Sequence, residues 1–587
     1  MNYFTDGPDW QWLFKHALHW DKILPLYYPE YPTEDGLKTP EEAREFFQEL
    51  LMTTGDWTAN SVAPRADRLD REGAGTVVNG KTVPGPALQE LYNEALELGA
   101  FGITIPKELG GMDVPVCIAM IMWEQIARGC VASSTQIAFF GSIADMIHRF
   151  CDKATQEKYI PEIIAGTLSG SMNLTEPGCG SDLGNIKTSA TPQANGTYLI
   201  NGAKTFITNG GGGVGLVLAR IKDAPEGLEG ISLFLVDQRE HKDGLNFKVS
   251  KNEDKMGFHG SFTCEVVYEN SIGRLVGKEN DGFKYMLHLM NEARIGVALQ
   301  ALGGIESCLS YARQYATERT AFGKPIAELP LLKRNLEDYE TEMRALRALF
   351  VDTASYFDIY QKLDLKKRHT GDLSQEEKEL YDDALLWTRK RTPLVKYYGC
   401  EAFTNLSQRA IQVLGGYGFM KEYPVERIHR DSFGPLLYEG TSQIQALMAL
   451  KDVIRYAVKD PKKFFSNIFY KHPTLEFLNR SNDWSYEFKS MHYKFKKKML
   501  GLLFSSLRPE AEKMLIPKNW VNMDEEKIGG LMIHAETLCQ ALAYMETLRV
   551  LCEHANKDQE RSQLFFDYCK LVQPRLEGIY TDWDIRS

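Results

Sequence analysis

The sequence predicts an α+β protein in the order helical, β, helical, with a further helical segment at its C-terminal end. Three observations carry this. Apolar residues recur at helical spacing up to about residue 165, short strand-like runs between Gly-rich turns fill about 168 to 275, and long helical periodicity returns from about 280. The 587 residues are 43% hydrophobic and 11% aromatic. That is enough for several cores and too apolar for a disordered chain.

Each segment has its own pattern. Residues 1–40 are aromatic and Pro-rich and are expected to form an extension lying over the body. A helical domain is expected over 41–167: Leu88, Leu91, Tyr92, Ala95 and Leu98 share one helix face, Val114 to Gly129 and Ser142 to Phe150 behave similarly, and Gly110 to Asp113 form a loop. A β-domain is expected over 168–275, with strands at Tyr198 to Ile200, Gly215 to Ile221, Ile231 to Val236 and Thr263 to Tyr268. Turns such as Asn195-Gly196 and Asn201-Gly202 divide them, as in a compact antiparallel barrel or sandwich. Residues 276–457 are helical again, at Gly282 to Ala316 and Leu331 to Tyr360, with a polar turn inside Lys362 to Glu379. A last helical segment, 458–587, begins around Asp460-Pro461, with its best helix at Gly529 to Ala555.

The charge balance, 68 Lys+Arg against 79 Asp+Glu for a net −11, argues against a nucleic-acid coat, because phosphate contacts need Lys and Arg. No uninterrupted apolar run reaches the length of a membrane span, and the first residues lack the basic and apolar pattern of a signal peptide. The ten cysteines are scattered without a Cys-x-x-Cys pair, so reduced, buried thiols in a cytoplasmic protein are expected and no metal site is.

Several segments could carry chemistry. Gly210 to Gly215 has the GxGxxG spacing, but the next residues, Leu216 to Ala219, are strand-like, so a β-turn explains it better than a dinucleotide fingerprint. Leu174-Thr175-Glu176-Pro177-Gly178-Cys179-Gly180-Ser181-Asp182 offers close backbone approach, free N–H groups and two hydroxyls; alone it reads as a Pro/Gly loop. Phe206-Ile207-Thr208-Asn209 sets a hydroxyl beside a bulky ring. Arg319 to Pro325, Gln412 to Phe419 and Tyr438 to Gln445 complete the set. Glu439 stands in a loop before an apolar-periodic helix, where it is either a helix N-terminal acid or, if desolvated, a base.

Together and in this order, these segments resemble the acyl-CoA dehydrogenase family over roughly residues 80 to 455. The Thr-Glu-Pro-Gly-x-Gly-Ser-Asp block, the Ile-Thr-Asn-Gly strand, Arg-x-x-Phe-Gly-Lys-Pro, the Gly-Gly-x-Gly-Phe turn and Tyr-Glu-Gly-Thr-Ser-Gln are all present. The length and helical tail are similar to a long bacterial branch that includes methylmercaptopropionyl-CoA dehydrogenase-like enzymes. The resemblance implies a helical domain, a central β-barrel, a C-terminal four-helix domain and the extra helical tail, with FAD between the domains. It implies that Thr175 and Thr208 bond the flavin ring, that Met172, Leu174, Phe206 and Ile207 pack on it, that Gly180 and Ser181 meet the pyrophosphate, and that Thr441 and Gln443 bind the adenosine side. Arg319, Phe322, Gln412, Gly415 and Gly416 would reach the FAD of a neighbouring subunit. Ser181, Asn291, Arg294, Tyr438 and Gly440 would border the acyl-CoA. Glu439 would take the α-proton while a hydride passes from Cβ to flavin N5, giving a trans-2-enoyl-CoA.

Ala293 stands where some relatives carry an alternative base, which adds weight to Glu439. Phe206 replaces a common tryptophan, Asn291 a more usual aspartate, and Pro330 stands where many members have glutamine. The implied partners are an acyl-CoA, an electron-transfer flavoprotein and a second copy of the chain, in a dimer rather than a tetramer. An oxygen-using acyl-CoA oxidase, which shares the base and the fold, is the alternative enzyme. A flavin-bound, DNA-associated stress protein would need a basic face, for which Lys494 to Lys498 is the one candidate run. That run reads better as a solvated helix face, with a weak membrane-surface contact as the lesser alternative.

Overall fold

The computed structural model describes residues 1–34, 36–241, 244–459, 483–507 and 525–586. Asp460-Pro461, expected to open the last segment, lies outside the described residues. Two short helices begin the chain, α1 (Pro8–His16) and α2 (Trp20–Tyr27). Then come α3 (Pro40–Trp57), α4 (Ala63–Glu72), the hairpin β1 (Gly75–Val78) and β2 (Lys81–Pro84), α5 (Pro86–Glu97), α6 (Val116–Gly129), α7 (Val131–Phe150) and α8 (Lys153–Ile164). α7 begins eleven residues before the expected Ser142, because Val131 to Gly141 is apolar on more than one face and buried against neighbouring helices on most sides.

Seven strands come next: β3 (Ser169–Asn173), β4 (Ser189–Pro192), β5 (Tyr198–Thr208), β6 (Gly213–Ile221), β7 (Ile231–Asp237), β8 (Lys248–Asn252) and β9 (Thr263–Val276). The pairings β6–β4–β5–β9–β7 return to β6 and close a barrel, with β3 on β6 and β8 on β9. Closure leaves few free edges. The pairings are antiparallel except β3–β6 and β4–β6, which are parallel; parallel neighbours come from crossovers, which turn spacing cannot reveal. Asn201-Gly202 is not a turn. It is a bulge inside β5, where Gly202 has φ +153 and a Cβ would lie 2.5 Å from the Thr188 hydroxyl.

The helical half contains α9 (Gly282–Glu318), the short hairpin β10 (Thr320–Ala321) and β11 (Lys324–Pro325), α10 (Pro330–Thr370), α11 (Gln375–Leu414), α12 (Pro424–Leu437) and α13 (Ser442–Lys459). α9, α10 and α11 pack along their lengths as the core of this half. The polar stretch turns at Gly371, left-handed at φ +83, and Ser374 and Glu377 form a capping box that starts α11.

The tail contributes α14 (Asp483–Leu507), α15 (Glu525–Met532), α16 (Ala535–Lys557) and α17 (Ser562–Arg586). The single helix expected over Gly529 to Ala555 is broken after Met532. Gly529-Gly530 weakens the first part, and the His534 N–H closes a turn on the Leu531 carbonyl.

Both chain ends meet on α10. Asp9 of α1 is buried among Arg347, Arg344 and, from the tail, Arg561, whose guanidinium lies 2.6 Å away. The Trp12 indole donates to Asp558 at 2.7 Å. His19 faces Asp352, and the Tyr27 hydroxyl donates to Asp358 at 2.6 Å. Sequence periodicity places neither the arm nor the tail; these long-range charged bonds do.

Candidate active site

The loop after β3 is built by its own small residues. Glu176 and Cys179 exchange two backbone hydrogen bonds of 2.9 Å around Pro177-Gly178. Gly178 has φ +84, the turn geometry that Pro-Gly favours. Beneath it Lys204 is fully buried. Its ammonium bonds the Glu176 carboxylate at 2.8 Å and the Leu174 carbonyl at 2.9 Å, while Glu176 also accepts from the N–H groups of Lys187 and Thr188. Burial pulls Lys204 down to about 8. Burial alone would raise Glu176, but the Lys204 charge and the donors outweigh it and hold it below its usual value.

The end of β5 is tied to this loop by the Thr205 N–H, which donates to the Thr175 carbonyl. Asn209 ties it to β3 through Ser169 and Gly170. A register shift between Lys204 and Ile207 turns Phe206 outward with φ +60 and 66% exposure. A bulky residue in that conformation is strained, and strain of this kind marks sites. Leu174 and Ile207 are buried, Met172, Thr175 and Thr208 are half-buried, and Gly180 and Ser181 are exposed. The hydroxyls of Thr175, Thr208 and Ser181 bond no other described residue. This set of an exposed ring, free hydroxyls and a glycine loop fits a flat aromatic cofactor with a phosphate tail.

Glu439 stands on the α12–α13 loop, where its neighbour Tyr438 packs on Phe258 at 6.0 Å between ring centres. Glu439 and Gly440 are both left-handed, at φ +56 and +91. Three side chains hold their carbonyls: Arg294 of α9 donates to Glu439 O at 3.1 Å, Gln445 of α13 donates to both, and Lys396 of α11, fully buried, donates to Gly440 O at 2.8 Å. The Glu439 N–H has no acceptor among the described residues. Its carboxyl is half-buried; desolvation raises it to about 7, against the charges of Arg294 and Lys396. Arg294 itself is buried and also bonds Asn291 at 2.9 Å.

α7 brackets the two halves. Ser134 and Tyr438 both bond Gln300 of α9, while the next residue, Thr135, meets Ser261, close to the start of β9, where Thr263 pairs with Thr208.

The remaining expected residues fall elsewhere. Phe322 tips the β10–β11 hairpin, 92% exposed, with φ +54 and then Gly323 at +83, as a two-residue type I′ turn requires. Arg319, Gln412, Gly415 and Gly416 are exposed, and Tyr417 packs on Tyr315 at 6.2 Å between ring centres. Thr441 accepts from the Ile444 N–H, and Gln443 donates to Glu536 of the tail. In the basic run, Lys494 bonds Glu577 at 2.5 Å and Lys498 pairs with Asp584. Sequence pattern assigns no role to Lys396, Lys204, Gln300 or Gln445. The one available signal is a lysine inside the apolar run Leu394 to Tyr398.

Comparison with known proteins agrees with this architecture. Residues 44–167, 171–271 and 280–454 match the N-terminal, middle and C-terminal domains of acyl-CoA dehydrogenase. The chain belongs to the acyl-CoA dehydrogenase family. An acyl-CoA dehydrogenase of Bacillus subtilis (strain 168) is 35% identical over 400 residues, 68% of this chain and 94% of its own. The 3-methylmercaptopropionyl-CoA dehydrogenase of Ruegeria pomeroyi is 30% identical over 490 residues, 79% of this chain and 78% of its own. In fold, the chain superposes on an acyl-CoA dehydrogenase from Bacillus anthracis, complexed with FAD, with a TM-score of 0.75 at 22% identity, covering 98% of this chain and 91% of that one. Among the described residues no helix is long and apolar enough to cross a membrane, and all ten cysteines are unbridged.

Proposed function

We propose that the protein dehydrogenates an acyl-CoA thioester between Cα and Cβ to a trans-2-enoyl-CoA, with Glu439 as the base. The observation that carries this is Glu439 itself: a carboxyl raised to about 7, fixed in a strained loop by side chains from three helices. Thr175, Gly180, Ser181, Phe206 and Thr208 would hold FAD, which would supply the hydride acceptor for Cβ. Glu439 takes the α-proton, and its unpaired N–H is a donor for the thioester oxygen on which negative charge develops. Arg294, Lys396 and Gln445 keep that N–H and the carboxyl aimed together.

Asn291, Tyr438 and Gly440 border the thioester end. The exposed Phe322, with Arg319, Gln412, Gly415 and Gly416, suits the cofactor of a second subunit, and we favour a dimer. The tail salt bridges neutralise much of the Lys494–Lys498 run, which disfavours the DNA-associated reading. We assign an electron-transfer flavoprotein as electron acceptor. Anaerobic addition of acyl-CoA should bleach the flavin, and reoxidation should need a mediator. Fast peroxide formation in air would instead assign an oxidase, and a flavin that no acyl-CoA bleaches would refute the reaction.

A further inference from the structure

A slot between α7 and α9 can be traced residue by residue. The helices run side by side in opposite directions. Ser134 meets Gln300, Ser142 lies beside Glu292, Asp145 faces His288 at 3.6 Å, and Phe150 packs on Tyr285 at 4.7 Å. Along this seam α7 leaves Thr135, Ala138, Phe139 and Ser142 half-buried while the residues between them are buried. That spacing is one stripe of a helix. On α9, Ala293 and Gly296 are half-buried, and a Cβ built at Gly296 would meet no atom within 4 Å.

The slot begins beside the base. Arg294 holds the Glu439 carbonyl and Gln300 accepts from Tyr438, so the α9 turn that contains Gly296 underlies Glu439. It ends one helical turn away, at Glu292, about 6 Å along the axis.

That end is polar. Asp145, His288 and Glu292 bring their ligand atoms within 4.8 Å of one another. A metal ion does not suit them, because the Arg149 guanidinium already bonds Asp145 at 2.6 Å. A small cavity lies beyond, lined by Asp145, Arg149, Glu292 and Gln361 among others. Gln361 is 1% exposed, with neither amide atom paired among the described residues. Burial, with the Asp145 charge adding, holds Glu292 well above its ordinary value, so it keeps its proton at neutral pH. Burial and Arg149 keep His288 neutral. Asp145, and Asp364 at 3.9 Å, balance Arg149. The floor therefore offers hydrogen bonds without a free charge. An alkyl end placed there would strip water from these groups and return nothing, and a carboxylate end would find no unpaired cation.

Resting on the acyl-CoA reading above, we propose that the slot selects a short acyl group whose far end carries an uncharged hydroxyl or carbonyl, received by Glu292 beside Ser142.

The test uses the flavin-loaded enzyme and three thioesters under anaerobic conditions: 4-hydroxybutyryl-CoA, its near-isostere pentanoyl-CoA, and palmitoyl-CoA. The rate constant for bleaching, divided by the half-saturating concentration, should favour the hydroxy thioester over pentanoyl-CoA by tenfold or more. Palmitoyl-CoA should fall at least a hundredfold below both. Glu292→Leu should bring the hydroxy/pentanoyl ratio to one or below, whatever its effect on the absolute rates. Glu292→Gln, which retains hydrogen bonding and the side-chain shape, should preserve the direction of the preference. Equal rates for the two short thioesters in the wild type, or an unchanged ratio in Glu292→Leu, would overturn the assignment alone. Failure of every thioester to bleach the flavin would overturn the acyl-CoA reading and the assignment with it.

Discussion

Glu439→Gln should make the protein inactive and, at neutral pH, more stable. The folded chain raises this carboxyl from 4.5 to about 7, and each pH unit of difference is worth about 1.4 kcal/mol. The sign comes from proton binding. Between pH 4.5 and 7 the folded state keeps a proton that the unfolded state has released, so stability falls as pH rises through that window. Below 4.5 the cost is absent, and above 7 it is complete at roughly 3 kcal/mol. Glutamine has the size of the protonated form and carries no such cost, while the φ of +56 at this position strains both residues alike. Thermal unfolding of cofactor-free wild type and variant, scanned from pH 4 to 8, should therefore coincide at the acid end and separate by a few degrees at pH 8, with the variant higher. The flavin-loaded variant should still bind acyl-CoA but no longer bleach. A separation that stays constant with pH would show that the raised value is wrong. Normal bleaching would show that Glu439 is not the base.

Other positions test the frame around the site. Lys396→Met removes both the donor on Gly440 and a cation that lowers Glu439; the rate at pH 7 should fall tenfold or more, and its acid limb should move up by about one pH unit, with Lys396→Arg partly restoring both. A uniformly scaled pH profile would assign Lys396 a purely structural role. Lys204→Met strands a buried carboxylate and should cost about 3–5 kcal/mol, read as a lower unfolding midpoint and lost flavin. Adding Glu176→Gln, which keeps an acceptor for the Lys187 and Thr188 N–H groups, should recover part of the loss. Phe206→Gly suits φ +60 and should leave the unfolding midpoint within a degree or two while weakening flavin binding at least tenfold; unchanged flavin affinity would remove Phe206 from the cofactor surface.

Much of the fold was legible because local pattern and tertiary demand agree. The strand runs around Leu216 and Phe234 and the long periodic stretch from Gly282 each became the expected element. The hidden parts depend on distant residues. Asn201-Gly202 reads locally as a turn and becomes a bulge only because Thr188 of the neighbouring chain segment leaves no room for a side chain. The site shows the same division. Thr175, Phe206, Thr208 and Glu439 stood out as residue types in short blocks, whereas Lys396 and Gln300 act through the backbone carbonyls of Gly440 and Val131, far away in sequence.

By itself the sequence determined the α–β–α order and the motif blocks, Glu439 among them as the candidate base, because helical and strand periods and glycine placement are local properties. Tertiary structure alone decided how Glu439 is held. Arg294, Lys396 and Gln445 come from three helices to hold one strained loop. Glu439 is raised because those helices exclude water from it, and the slot beside it ends in polar groups because α7 and α9 run antiparallel and set Ser142 against Glu292. Desolvation and the meeting of distant side chains arise only when the chain closes on itself, so no window of sequence contains them.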